Sequence, residues 1–449
     1  MRTTFHLKTL AVAIATLSVA SMANAAGLDR SGQDVTAFFQ DGTYAEAVYT
    51  YIDADVSGYD SANVNPGQND YERGNKTGDI AESYDFFRYG VKTDINDTFS
   101  VGVLYDEPFG AAAEYTQSNF VASNNPQASG GALVADGVAP QTAGAIALAE
   151  STAAGENTNV EVRSQSLTGI LGMKFGANKN FQIYGGPVAQ RIQSETKLRG
   201  LAYGPASGYT STSNPDMDYG YIAGFSFSKP EIALKAALTY RSEIDHDIEI
   251  SETYPIAAIS AIAGQGGDPS TVPVPQILAA STQVNNYKIT TPKSVNFDFQ
   301  TGINPTTLAT AKVRWVPWSD FAITPPLYNE VSTNAARPDG LNLVEYDDDQ
   351  WQVELGLAKR VAPALAISGT VGWDSGAGDP TTSLGPVDGY YSVGLGAKYN
   401  VTENWAVSAG GKYLWFGDAQ GALPTDKIVA DFEDNDGFIA GVKISYQAR

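Results

Sequence analysis

Near its C-terminus the chain reads Phe438-Ile439-Ala440-Gly441-Val442-Lys443-Ile444-Ser445-Tyr446-Gln447. Successive side chains of an extended strand point to opposite sides. Phe438, Ala440, Val442, Ile444 and Tyr446 therefore share one face, and Ile439, Gly441, Lys443, Ser445 and Gln447 the other. An apolar face backed by small and polar residues suits a strand with lipid on one side and a wet interior on the other. The pattern recurs upstream. Tyr391, Val393, Leu395, Ala397 and Tyr399 oppose Ser392, Gly394, Gly396 and Lys398, while Trp351, Val353, Leu355 and Leu357 oppose Gln350, Gln352, Glu354 and Gly356. Between Ile232 and Ile244, apolar residues alternate with Lys235, Thr239, Arg241 and Glu243. Tyr44, Tyr84, Tyr184, Trp315, Trp318, Trp405 and Trp415 stand at strand ends, where interfacial girdles belong.

Fourteen such strands are expected, near 44–56, 83–94, 98–115, 160–176, 180–198, 217–228, 231–250, 286–302, 306–320, 349–361, 364–376, 389–400, 404–418 and 436–447. Their connections sort by length. Ile95-Asn96-Asp97, residues 176–179, Lys229-Pro230, Pro305-Thr306, Ala362-Pro363 and Thr402-Glu403 are short and follow even-numbered strands. Segments 57–82, 116–159, 199–216, 251–285 and 321–348 are long and follow odd-numbered ones. A transmembrane antiparallel β-barrel shows this sorting, with short periplasmic turns, long extracellular loops and an even strand count. The fold class is therefore all-β, with residues 44–449 forming the barrel.

The N-terminus agrees. Arg2 and Lys8 flank an uncharged start, Leu10–Met22 is apolar, and Ala23-Asn24-Ala25 is a small-residue cleavage site. Residues 1–25 thus read as a signal peptide. No other segment supplies the roughly twenty apolar residues of a spanning helix. With no cysteine, an exported chain relies on strand pairing and burial instead of disulfides. Losing Arg2 and Lys8 takes the formal charge from −22 to −24, which excludes a nucleic-acid partner. Much of this acidity lies in loops (Asp347-Asp348-Asp349; Asp431, Glu433, Asp434, Asp436). Divalent cations can bridge such carboxylates to lipid phosphates, but no specific metal site and no cofactor are expected.

Residues 26–43 lack strand alternation and end in Phe38-Phe39-Gln40-Asp41-Gly42. Entering from the periplasm ahead of the first strand, they are expected to turn into the lumen as a hatch, with Phe38 and Phe39 offered to substrate. In the third strand, Asp106-Glu107-Pro108-Phe109-Gly110 interrupts the alternation of Val101, Val103 and Tyr105. Proline cannot donate to a ladder and glycine permits a sharp bend, so a kink and a lateral gap are expected there, with Phe109 beside it. Apolar runs at Gln141–Thr152, Pro255–Ala263 and Val272–Ala280 suggest helices in the long loops 116–159 and 251–285, over the barrel mouth. They would either pack there or give an apolar ligand a landing site.

Together these residues resemble the FadL-type family of outer-membrane hydrophobic-compound transporters, nearly end to end. The similar stretches are Val48-Tyr49-Thr50-Tyr51-Ile52-Asp53-Ala54-Asp55-Val56-Ser57-Gly58, Ile95-Asn96-Asp97-Thr98-Phe99-Ser100-Val101-Gly102, Ala237-Leu238-Thr239-Tyr240-Arg241-Ser242-Glu243 and Trp315–Phe321 with its Trp318-Ser319 pair. The resemblance implies fourteen strands, an N-terminal hatch, and a third-strand kink through which apolar substrates leave into the membrane. It also implies a pocket arginine near Arg191, beyond Gly185-Gly186-Pro187. The family's Asn-Pro-Ala hatch motif is absent, with Phe39-Gln40-Asp41-Gly42 near its place. Its second cation, before the tenth strand, has no counterpart in Asn342-Leu343-Val344-Glu345.

The function expected is a passive bacterial outer-membrane channel for hydrophobic molecules, with long-chain fatty acids first among them. Water-filled pores offer such solutes nothing, at roughly 0.8 kcal/mol per exposed CH₂. Arg191 is the expected head-group partner, since a carboxylate leaving water needs a charge-assisted bond. Neutral or aromatic hydrocarbons are an alternative, as is a general porin using Lys235, Arg241, Lys312 and Arg314. Outer-membrane lipid and lipopolysaccharide are the expected surroundings of a monomer. An enzyme is not expected: His246, the one histidine after the leader, lies between Asp245 and Asp247 and reads as an exposed loop-edge residue, with no strained nucleophile turn accompanying it.

Overall fold

The computed structural model describes residues 28–117 and 126–448. The expected signal peptide, 1–25, lies outside the described residues. Fourteen wall strands follow one another: β1 (Thr43–Asp55), β2 (Tyr84–Asp94), β3 (Phe99–Asp106, resumed as Gly110–Glu114), β4 (Asn159–Phe175), β5 (Phe181–Lys197), β6 (Asp216–Lys229), β7 (Leu234–Arg241 and Ile244–Thr253), β8 (Thr282–Thr291 and Ser294–Asn304), β9 (Thr307–Val316), β10 (Gln350–Ala362), β11 (Leu365–Asp374), β12 (Tyr390–Asn400), β13 (Trp405–Phe416) and β14 (Asp436–Ala448). Each pairs antiparallel with its chain neighbours, and β14 closes the ring on β1 from Asp55↔Asp436 to Thr43↔Ala448. Full closure leaves no sheet edge in the lipid, as a spanning structure requires.

The two faces of the wall follow the sequence alternation. Along β14, Phe438, Val442 and Ile444 are exposed, while Ile439, Lys443 and Ser445 are buried inside. Exposed Phe99, Phe175, Phe181, Tyr399 and Trp405 mark the end with the short turns; exposed Trp351, Trp373, Tyr391 and Trp415 mark the end with the long loops. These are the two aromatic girdles. Four aromatics expected in them face inward instead, Tyr84 among them, in phase with buried Phe86 and Arg88. Tyr44 donates to Glu46 at 2.7 Å, Tyr184 sits in the lumen, and Trp318 donates to Gln350 at 2.8 Å. The ninth strand stops at Val316 because Pro317 cannot continue the ladder, and Trp318–Asp320 forms a 3₁₀ turn.

Above the wall, the long loops carry helices α1 (Pro126–Ala135), α2 (Pro140–Ser151), α3 (Pro255–Gly264), α4 (Val274–Ser281) and α5 (Pro326–Ser332). Ile146, Ala149, Ile256, Ile259, Ile277 and Leu327 enter one apolar core with the upper barrel interior. A small sheet from Gly58–Ser61, Arg73–Lys76, Thr381–Thr382, Ala419–Ala422 and Ile428–Phe432 completes the extracellular cap.

Candidate functional site

The third strand is interrupted at the expected place. Its first part pairs with β4 to Asp106↔Ser166, and its second part begins at Gly110↔Arg163. Three residues of β3 therefore stand against two of β4, which is a bulge. The extra residue inverts the parity of the faces: Gly102 and Leu104 are buried before it, and Ala111 and Ala113 after it. Toward β2 the ladder ends at Tyr89↔Tyr105 and resumes only at the bridge Ala81↔Ala113. The wall thus loses its pairing beside Asp106, Glu107, Pro108, Phe109 and Gly110.

Residues 28–42 run through the barrel interior and cover this break from inside. Arg30 N donates to Pro108 O at 2.8 Å and Gly110 N to Leu28 O at 2.8 Å, which makes an antiparallel bridge, Asp29↔Phe109, against the kink. Ser31 Oγ donates to Asp106 at 2.9 Å. The Arg30 guanidinium lies 4.0 Å from the Tyr84 ring centroid, in space that any side chain at residue 110 would fill: a Cβ there would stand 2.3 Å from Arg30 Cζ. Gly110 leaves room for this guanidinium, which a side chain there would displace; it is not among the glycines with positive φ that a sharp bend would call for.

Acidic groups of the segment meet the lumen cations. Arg314 Nε donates to Asp29 at 2.5 Å and Nη1 to Asn296 at 2.8 Å. Lys312 binds Asp34 at 2.8 Å, and Lys235 donates to the Phe39 carbonyl. Phe38 is buried between Gly102 and Gly172, where an added Cβ would stand 2.8 Å from its ring. Its centroid lies 5.7 Å from that of Tyr184. Phe39 lies 5.3 Å from the same ring and lines a periplasmic vestibule of about 760 Å³ with Lys92, Lys174, Lys235, Lys312 and Asp298. Phe109 is buried against Trp318 at 5.8 Å.

On the other side of the kink a cavity of about 40 Å³ is lined by Leu28, Ala111, Val162, Ile250, Ile289 and Tyr346 among others, none of them charged. It has room for about three waters, so passage requires side chains to move. Above it Tyr209, Tyr254 and Tyr328 cluster with centroids 5.1–5.9 Å apart. Buried Glu252 accepts from Tyr209 Oη at 2.9 Å and from the Leu327 and Tyr328 amides at 2.9 and 3.0 Å. Arg199, which the sequence reading passed over, is spent on Glu156, Thr210 and the Leu198 and Tyr209 carbonyls. Burial pulls its guanidinium below the ordinary arginine range, and Glu156 opposes that pull. Burial likewise pushes the Tyr203 phenol up to about 12.

Two expected placements are corrected. Arg191 is exposed on the outer face of β5 with Phe181, Ile183 and Pro187. No residue is inserted at Pro187: Thr168↔Val188 and Leu171↔Gly185 keep one register, so Arg191 stays in outward phase and is no lumen anchor. His246 is fully buried, not exposed, because the alternation that sends Asp245 and Asp247 outward sends it inward.

The chain matches the outer membrane protein transport family (OMPP1/FadL/TodX) over residues 12–446. A FadL homologue of Pseudomonas aeruginosa superposes with TM-score 0.63 at 14% identity, covering 92% of this chain and 94% of its own. The toluene transporter TodX of P. putida does so with TM-score 0.53 at 12% identity, covering 91% of each chain. No curated protein matches.

Proposed function

Because the chain belongs to the OMPP1/FadL/TodX outer-membrane transport family, which carries hydrophobic compounds, we propose that it is a passive, monomeric channel that releases neutral hydrophobic molecules sideways between β2 and β3. The observation that supports this reading is the stretch of wall from Asp106 to Gly110 that keeps its contact with β4 but has no ladder to β2. A solute leaving there enters lipid without crossing the periplasm. The segment 28–42 inside the barrel opposes the general-porin reading, since three of the four cations that would line a porin, Lys235, Lys312 and Arg314, contact it.

Neutral compounds are favoured over long-chain fatty acids on electrostatic grounds. Arg191 lies outside, Arg199 is engaged by Glu156, and the small cavity beside the kink has no charged lining. Buried Glu252 above it would repel a carboxylate. Fatty acids are the second reading because of one group: the buried Nε of Arg30, at the kink, has no hydrogen-bond partner.

Replacing residues 106–110 with a regular Val/Thr alternation, one residue shorter, restores the register and tests the exit. Uptake of a neutral hydrocarbon into cells should disappear while the barrel keeps its folded, heat-shifted gel mobility. Undiminished uptake refutes the exit role. The same assay in Arg30→Gln separates substrates: a loss confined to a fatty acid of equal chain length selects the second reading.

A further inference from the structure

A second lapse in the ladder lies between β6 and β7. The two strands pair from Lys229↔Leu234 to Ile222↔Arg241. Above Ser242-Glu243, the short strand Thr210–Ser213 takes over as partner, from Ser213↔Ile250 to Thr210↔Thr253. Between these ladders Asp216–Gly220 stand beside Glu243–Asp247, and the Asp247 amide turns to the Asp218 carboxylate at 3.3 Å. The outward neighbours Asp245, Asp247 and Glu249 are exposed, which puts this seam above the apolar band, within reach of ions in water.

Three side chains converge in it. Asp216 and Asp218 are two residues apart, hence on one face, and His246 comes from across the seam; one ligand atom of each lies within 4.8 Å of the others. The imidazole is 0% exposed. Its Nε2 lies 3.1 Å from Gln190 Oε1, an oxygen that also accepts from Thr291 Oγ1 at 2.7 Å. An acceptor there fixes the proton on Nε2 and leaves the lone pair on Nδ1. Nδ1 has no hydrogen-bond partner and faces Asp218 Oδ2 at 3.9 Å. Donors bound at about 2.0–2.2 Å to one ion lie roughly 3–3.5 Å apart, so small rotations of the partly exposed aspartates complete the set.

We propose that Asp216, Asp218 and His246 form a binding site for a divalent first-row transition metal of the zinc class, clamping β6 to β7 where backbone pairing lapses. One imidazole nitrogen with two carboxylates suits Zn²⁺, Co²⁺ or Mn²⁺, whereas Ca²⁺ and Mg²⁺ take oxygen donors. Gln190 acts behind the metal, orienting the imidazole through its far nitrogen.

The test titrates full-length protein in detergent micelles, stripped with a chelator, with Co²⁺ alone and then Zn²⁺ alone. One saturable Co²⁺ equivalent with a visible d–d band, displaced by Zn²⁺, is expected. His246→Ala and the double variant Asp216→Asn/Asp218→Asn should abolish it, and Gln190→Ala should weaken it about 10–100-fold. No saturable equivalent in the native chain, or equal binding by His246→Ala, overturns the site and leaves only diffuse carboxylate binding by the loops. Should His246→Ala fail to fold, by gel mobility, the double variant decides alone.

Discussion

Arg191 and His246 show how a single residue's phase sets its role. Both lie on strands with strict alternation, and both were assigned the wrong side for the same reason: neighbouring residues outweighed the period of two. Pro187 suggested a bulge that would free Arg191 from its phase, but a proline can forfeit a ladder bond without adding a residue. For His246 the flanking aspartates suggested exposure, whereas charged neighbours on an alternating strand imply the opposite face for the residue between them. With Arg191 outside, Arg191→Ala should leave uptake of hydrocarbon and fatty acid alike within about twofold of the native chain. Its unfolding midpoint in urea should shift by no more than about 0.5 kcal/mol equivalent, as for other exposed positions.

At the scale of elements, the destination of residues 28–42 was legible and their partners were not. A segment lacking alternation ahead of β1 has the lumen to enter, but nothing local encodes which cation meets which carboxylate. Asp29 and Arg314 are 285 residues apart, and Gln33 and Ser294 261. The kink was legible from Pro108; the parity inversion behind it was not, because it depends on how many residues of β4 stand opposite. Removing one partner of a buried ion pair costs about 3–5 kcal/mol, so Asp29→Ala should undock the segment from Arg314. Planar-bilayer recordings should then show raised ion conductance against a nearly silent native channel. An unchanged conductance would mean that Asp29 does not hold the plug.

For the whole molecule, the strand count was legible because loop sorting and an even number constrain each other. Three of the five described helices over the mouth were legible as apolar runs, while the five-stranded cap was not, since its strands come from three loops and are 2–5 residues long. The formal charge of −22 gives the molecule a field that selects among ligands before any contact. The Debye length falls from about 30 Å at 0.01 M salt to about 8 Å at 0.15 M. Uptake of a fatty-acid anion should therefore rise over that range, as repulsion by the acidic loops is screened, while uptake of a neutral alkane stays constant. Equal responses, measured with labelled substrates, would show that the loops exert no electrostatic selection.

The long reach of the hatch also sets an order of events in biogenesis. Its bridge to the kink needs β3, its hydrogen bonds to Ser294 and Asn296 need β8, its ion pairs with Lys312 and Arg314 need β9, and the wall is sealed only when β14 meets β1. Contacts of such separation form late, because the intervening chain must first be organised. Until then Asp29 lacks its partner Arg314, and Asp34 has Arg88 of β2 but not yet Lys312. A nascent chain truncated before β8 should carry a hatch that proteases can still reach, and the finished barrel should protect it.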